Sequence, residues 1–164
     1  MRQKDKKYIS TAQALQKLQA YCAYQDRCHQ EVRSKLLDLG IYGDELEEII
    51  VSLIEDKFLN EERFACSFAR GKFRYKKWGK LKITQALKRK NISAYCLKKA
   101  MEEIEETDYT QTIDELIAKK HRQINKADTY TQKQRIARFL FQKGYESTLS
   151  WERINLFFDT VQED

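Results

Sequence analysis

An all-α fold is predicted by three features of the sequence. Proline is absent from all 164 residues and glycine occurs only five times. Both residues interrupt helices, so their scarcity favours helical chain throughout. A Leu followed four residues later by Gly or Asn, and then at once by an apolar residue, occurs three times: Leu36–Gly40–Ile41, Leu87–Asn91–Ile92 and Leu140–Gly144–Tyr145, at offsets of 51 and 53 residues. Downstream of each anchor the apolar residues fall three and four apart, the spacing of one buried helical stripe. The expected architecture is three tandem three-helix repeats stacked into an extended body that is free to curve.

Each element has a local reason. The first helices of the three units are expected over about 10–24, 60–75 and 111–127, with Asn60 as an N-cap of the second. The middle helix of each unit ends at its anchor. There a left-handed residue closes the helix, and Gly or Asn adopts that shape at least cost. The third helix follows directly. Its stripe is matched between copies by Ile50, Met101 and Ile154, by Leu53, Ile104 and Phe157, and in the first two copies by Phe58 and Tyr109. Ser93 is a further expected N-cap, and Asp44 with Glu47 and Thr131 with Gln134 have capping-box spacing. The divisions that result are an N-terminal tail over 1–9 and repeats over 10–58, 59–108 and 109–164.

Charge is distributed unevenly along these units. The net charge is +6, but residues 61–100 alone hold thirteen Lys/Arg against two Asp/Glu. Residues 1–60 carry nine against ten, and residues 101–164 nine against thirteen. No acid stands between Phe64 and Asn91. A solvated helix face ordinarily mixes signs, because opposite charges three or four apart support a helix and like charges oppose it. A run of one sign therefore points to an anionic partner, either phosphates or an acidic protein surface. Within it, Phe64 and Phe68 read as core. Tyr75 and Trp78 read either as rings packed beside a turn or as rings that stack on a base or anchor an interface. The run Glu102, Glu103, Glu105 and Glu106 reads as a solvated face.

Several function classes are disfavoured. No apolar run approaches the roughly 20 residues of a membrane span, and the charged start MRQKDKKYIS lacks the apolar stretch of a secretory signal. A cytoplasmic chain with reduced thiols is expected. Cys22, Cys28, Cys66 and Cys96 form no C-x-x-C pair, and His29 and His121 are far apart, so neither a metal nor another cofactor is expected. There is no glycine-rich phosphate loop, no G-x-S-x-G and no H-E-x-x-H. Catalysis is not expected.

The stretch FLNEERFACSFARGKFRYKKWGKLKITQALKRKNI resembles the RecX family of recombinase regulators. The resemblance is carried by Phe58, Leu59, Asn60, Glu61, Glu62, Arg63, Phe64 and Ala65, then Phe68 and Arg70, then Gly79, Leu87, Lys90, Asn91 and Ile92. RCHQEV at Arg27–Val32 and RIARFLFQKGY at Arg135–Tyr145 extend it to about residues 12–158. Cys28 stands where the family usually has a Ser, which costs the capping box above Glu31 its hydroxyl. Asn91 replaces a usual Gly. The resemblance implies three helical triplets and a non-enzymatic, mainly inhibitory modulator of the RecA recombinase. Such proteins bind the RecA–DNA filament and restrain its ATPase, strand-exchange and coprotease activities. A monomer in contact with the RecA filament and with single- or double-stranded DNA is expected. Candidate contacts are Arg63, Arg70, Lys72, Arg74, Lys76, Lys77, Lys80, Lys82, Lys88 and Arg89, with Tyr75 and Trp78 as rim anchors. The rival reading is a stand-alone helical DNA-binding protein acting through the basic middle repeat.

Overall fold

The computed structural model describes residues 9–163; all of the predicted tail except Ile9 lies outside them. Nine helices and no strand occur among the described residues: α1 (Thr11–Tyr24), α2 (His29–Asp38), α3 (Gly43–Glu55), α4 (Glu61–Lys76), α5 (Lys80–Arg89), α6 (Ala94–Glu102), α7 (Glu106–Gln123), α8 (Thr129–Lys143) and α9 (Ser147–Val161). None is long and apolar enough to cross a membrane.

The three anchors fold alike. Gly40, Asn91 and Gly144 have φ of 81°, 59° and 94°. The following residue then donates its N–H back to the anchor leucine: Ile41 to Leu36 O at 2.9 Å, Ile92 to Leu87 O at 3.2 Å, and Tyr145 to Leu140 O at 3.0 Å. This bond satisfies carbonyls that a helix end leaves open. Leu36, Leu87 and Leu140 are all fully buried. Asn60 and Ser93 cap α4 and α6 as expected, accepting from the N–H groups of Arg63 at 2.9 Å and Cys96 at 3.3 Å.

The local expectations failed at four places. Tyr42, not Asp44, precedes α3, and the Glu47 carboxylate is taken by Arg33 at 2.6 Å. Asp128 caps α8 by accepting from the Thr131 N–H at 2.9 Å and its hydroxyl at 2.7 Å, so the helix starts at Thr129. Asp128 stands three residues before Thr131, so its carboxylate reaches the open N–H of the first turn. α7 runs 106–123 rather than 111–127. Tyr109 lies inside its first turn and is buried, whereas its counterpart Phe58 precedes α4. Met101 and Phe157 flank the core rather than fill it.

Two apolar cores result. The first is built by α1–α3 with Leu59, around Leu18, Leu36 and Leu53, and Ile9 packs on it. The second is shared by α4–α9, around Ile83, Leu87, Ile113, Ile136 and Leu140. Between the cores the contacts are mostly polar. Asp26 accepts from Arg63 Nε at 2.8 Å and from Ser67 Oγ at 3.2 Å. Glu31 lies 3.3 Å from Lys90 Nζ and accepts from the Cys28 N–H at 3.1 Å, so this half of the capping box survives. Cys28 itself packs into the second core.

Candidate functional site

The basic stretch ends where two helical triplets meet. α4 stops at Lys77, whose left-handed φ of 57° turns the chain sharply. The Trp78 N–H then donates to Lys72 O at 3.2 Å. That turn lays Trp78 edge-on to Phe68, with ring centroids 6.4 Å apart. The next residue, Gly79, meets the anchor of the third triplet. Its N–H donates to Lys143 O at 2.7 Å, and the Leu81 N–H donates to Gly144 O at 3.0 Å. Only hydrogen atoms fit between the two glycines, because a Cβ on Gly79 would strike the Gly144 backbone.

Tyrosines lock the same joint. Tyr109 OH accepts from the Lys80 N–H at 3.0 Å and donates to Glu146 Oε2 at 2.7 Å. Tyr145 OH donates to Lys77 O at 2.8 Å. Burial pushes both phenols above their ordinary range, and Glu146 adds to the effect.

Lysines cross this joint in opposite directions. Lys82 on α5 reaches Gln142 O at 3.5 Å, near the end of α8. Lys143 on α8 reaches Lys76 O at 2.9 Å, at the end of α4. Each ammonium thus sits on a helix C-terminus, whose open carbonyls carry partial negative charge. Lys72 and Lys82 also lie over the Trp78 ring, 4.9 and 4.7 Å from its centroid. Lys143 and Lys120 lie over Phe139 at 5.9 and 5.2 Å. Partial charges and ring faces compensate these cations in place of carboxylates. Burial holds the Lys143 ammonium below the ordinary lysine range, and Lys82, Lys119 and Lys76 push it the same way.

The predicted contact residues divide into four groups. Arg63, Arg70 and Lys80 are engaged within the chain. Arg63 pairs with Asp26 and donates to Lys57 O and Phe58 O, each at 3.2 Å. Arg70 pairs with Glu103 at 2.8 Å and Lys80 with Glu106 at 2.5 Å. Lys72, Lys76 and Lys82 converge on the joint around a half-buried Trp78, which is packed rather than free. Arg74 and Lys77 line a cleft of about 250 Å³ on another side of α4, facing Glu103, Glu105, Asp108 and Glu115. Tyr75 is free, 78% exposed. Lys88 and Arg89 are exposed in the last turn of α5, roughly 12 Å from its start at about 1.5 Å per residue.

The division follows from helix geometry, since Lys72 and Lys76 are four apart whereas Arg70, Arg74 and Lys77 recur four and three apart on another face. Lys119 and Lys143 join the cluster from α7 and α8, in the part of the chain with an acidic balance, so composition did not mark them. The one local signal is that Lys143 directly precedes the Gly144 anchor.

Among the described residues, no group of three His, Cys, Asp or Glu is placed to hold a metal ion. What the joint offers is an anion-attracting surface: Lys72, Lys76, Lys82, Lys119 and Lys143 form no ion pair among the described residues.

Comparison with known proteins reaches the same region. Residues 60–101 match the family model of the second three-helix domain of RecX, and residues 106–152 that of the third. The Regulatory protein RecX of Clostridium perfringens (strain 13 / Type A) is 32% identical over 122 residues, which are 73% of this chain and 57% of that protein. That of Salmonella heidelberg (strain SL476) is 29% identical over 133 residues, 75% of this chain and 78% of that one. This chain spans little more than half the length of the Clostridium relatives it matches. The crystal structure of RecX from Lactobacillus salivarius shares the fold, with a TM-score of 0.83 at 23% identity over 92% of this chain and 97% of that one. With two family domains matched over more than half its length and the same helical architecture, the chain belongs to the RecX family.

Proposed function

We propose that this protein is a non-enzymatic modulator, mainly an inhibitor, of the RecA recombinase, acting on the RecA–DNA filament to restrain ATP hydrolysis, strand exchange and coprotease activity. The observation that carries the reading is the lysine cluster at the joint of the second and third triplets, where Lys82 and Lys143 reach main-chain carbonyls, Lys72 and Lys82 lie over Trp78, and no member forms an ion pair among the described residues. A filament groove exposes phosphates, and Lys or Arg contacts release their condensed counterions. Membership of a family whose proteins are named regulatory supports the same reading.

The test is titration into RecA-driven ATP hydrolysis on single-stranded DNA. The triple variant Lys76→Glu/Lys82→Glu/Lys143→Glu is expected to lose inhibition while its circular dichroism stays helical. Full inhibition by a folded triple variant would remove the joint from the mechanism. Reversal of Arg74 and Lys77 is expected to do less, because acids already face them across their cleft.

The stand-alone DNA-binding reading draws on the same lysines. It predicts tight binding to DNA without RecA. Neutralising three phosphate-contacting lysines would then lower the log–log salt slope by about 3. Weak binding that strengthens on a filament selects the first reading.

A further inference from the structure

We propose that Lys143 is a site of acylation by acyl phosphates, small metabolite-sized anions whose phosphate is held by the neighbouring ammonium groups. This goes beyond filament modulation and does not depend on it.

The geometry supplies both requirements of the reaction. An acyl phosphate is a polyanion, and cationic clefts with apolar walls concentrate such ions. Lys143 stands among Lys76, Lys82 and Lys119, with the Phe139 ring beneath its ammonium and, among the described residues, without a carboxylate in ion-pair range. The amine must also be neutral to attack, and lysines lose their proton more readily when desolvated or crowded by cations. Among the described residues its hydrogen-bond acceptor is a main-chain carbonyl, Lys76 O at 2.9 Å, which cannot take the proton permanently. The residue remains partly exposed, so a small reagent reaches it.

In the reaction the Nζ lone pair of the neutral amine attacks the acyl carbon. The bond from that carbon to the phosphate oxygen breaks, and its electron pair leaves with orthophosphate. The surplus N–H proton goes to solvent, and an uncharged amide remains. The product lowers the charge of the joint by one unit while leaving the glycine contact intact.

The test uses the full chain incubated with acetyl phosphate, with acetylation at each lysine followed by mass spectrometry. Lys143 is expected to react at least about tenfold faster than the exposed Lys88 and Lys98, as field focusing requires. Inorganic phosphate should slow labelling of Lys143 by acetyl phosphate and leave its labelling by an uncharged succinimidyl acetate unchanged. The Lys82→Gln/Lys119→Gln variant should lose more of the acetyl phosphate rate than of the succinimidyl rate. Labelling of Lys143 no faster than of Lys88 and Lys98, or phosphate competition that affects both reagents alike, would overturn the assignment. Both comparisons are made in the unaltered protein, so they stand even if the double variant fails to fold.

Discussion

Replacing Gly79 by Ala isolates the close approach that joins the second and third triplets. Gly79 has φ −77° and ψ 167° as the N-cap of α5, a conformation open to any residue. Backbone strain therefore contributes nothing to the cost, and exchanging Gly for the poorer N-cap Ala costs up to about 1 kcal/mol. The added Cβ, however, would stand 2.5 Å from the Tyr145 nitrogen and closer still to the Gly144 backbone. These are main-chain atoms that cannot rotate aside, so the two triplets must separate locally.

Two hydrogen bonds then lengthen, Gly79 to Lys143 O and Leu81 to Gly144 O, at about 1 kcal/mol each. Forced repacking of a tight contact adds about 1–3 kcal/mol. The expected loss is thus about 3–6 kcal/mol, read as a lower urea midpoint by circular dichroism. Gly40→Ala is the control. Its φ is 81° and a Cβ there meets nothing within 4 Å, so only the left-handed penalty of about 1–2 kcal/mol applies. If Gly79→Ala cost less than Gly40→Ala, the joint would be looser than the close contact requires, and the lysine cluster built on it would lose its rigid frame.

Asn91→Gly should raise stability by about 0.5 kcal/mol, seen as a Tm increase of about 1–2 °C, because Asn91 is exposed and holds φ 59° at the second anchor. Raising the pH above about 10 should destabilise the fold. Unfolded tyrosines ionise near 10, while the folded pKa values of Tyr109 and Tyr145 lie higher. The folded state then holds protons that the unfolded state releases, so stability is full below that pH and declines above it. Tyr109→Phe should be less stable at neutral pH, having lost its bonds to Lys80 and Glu146, and should show a shallower alkaline decline in denaturant titrations. Among the thiols, Cys66 should react first with an aromatic disulfide reagent, since Cys22, Cys28 and Cys96 are buried. Its rate should still be below that of a free thiol, because burial and the nearby Glu103 and Glu62 raise its pKa. Faster labelling of Cys28 would show that the contacts between the two cores open readily.

Much of the fold was legible because it depends on short-range physics. Leu, then Gly or Asn, then an apolar residue encodes a helix end within six residues, and all three copies closed as expected. The stripe positions Leu53 and Ile104 were likewise buried. Capping was read less well. Asp44 and Thr131 have the right spacing, but Glu47 found Arg33 on another helix and Asp128 offered a better acceptor. Competition between equivalent local partners is settled by what packs nearby.

The candidate site shows the same limit more sharply. A basic middle repeat could be counted along the chain, because charge is a property of residue type. Which cations stay available for a partner could not be counted, because Arg63, Arg70 and Lys80 meet acids 37, 33 and 26 residues away. Nor could composition show that Lys119 and Lys143 would join Lys76 and Lys82. The amino-acid order by itself determined the helices, their left-handed ends and the sign of the middle repeat, all of which depend on neighbours a few residues apart. Only tertiary structure decided that Gly79 meets Gly144, that α4–α9 share one core among the described residues, and which lysines share one surface, because the joint depends on helices meeting across more than sixty residues of chain.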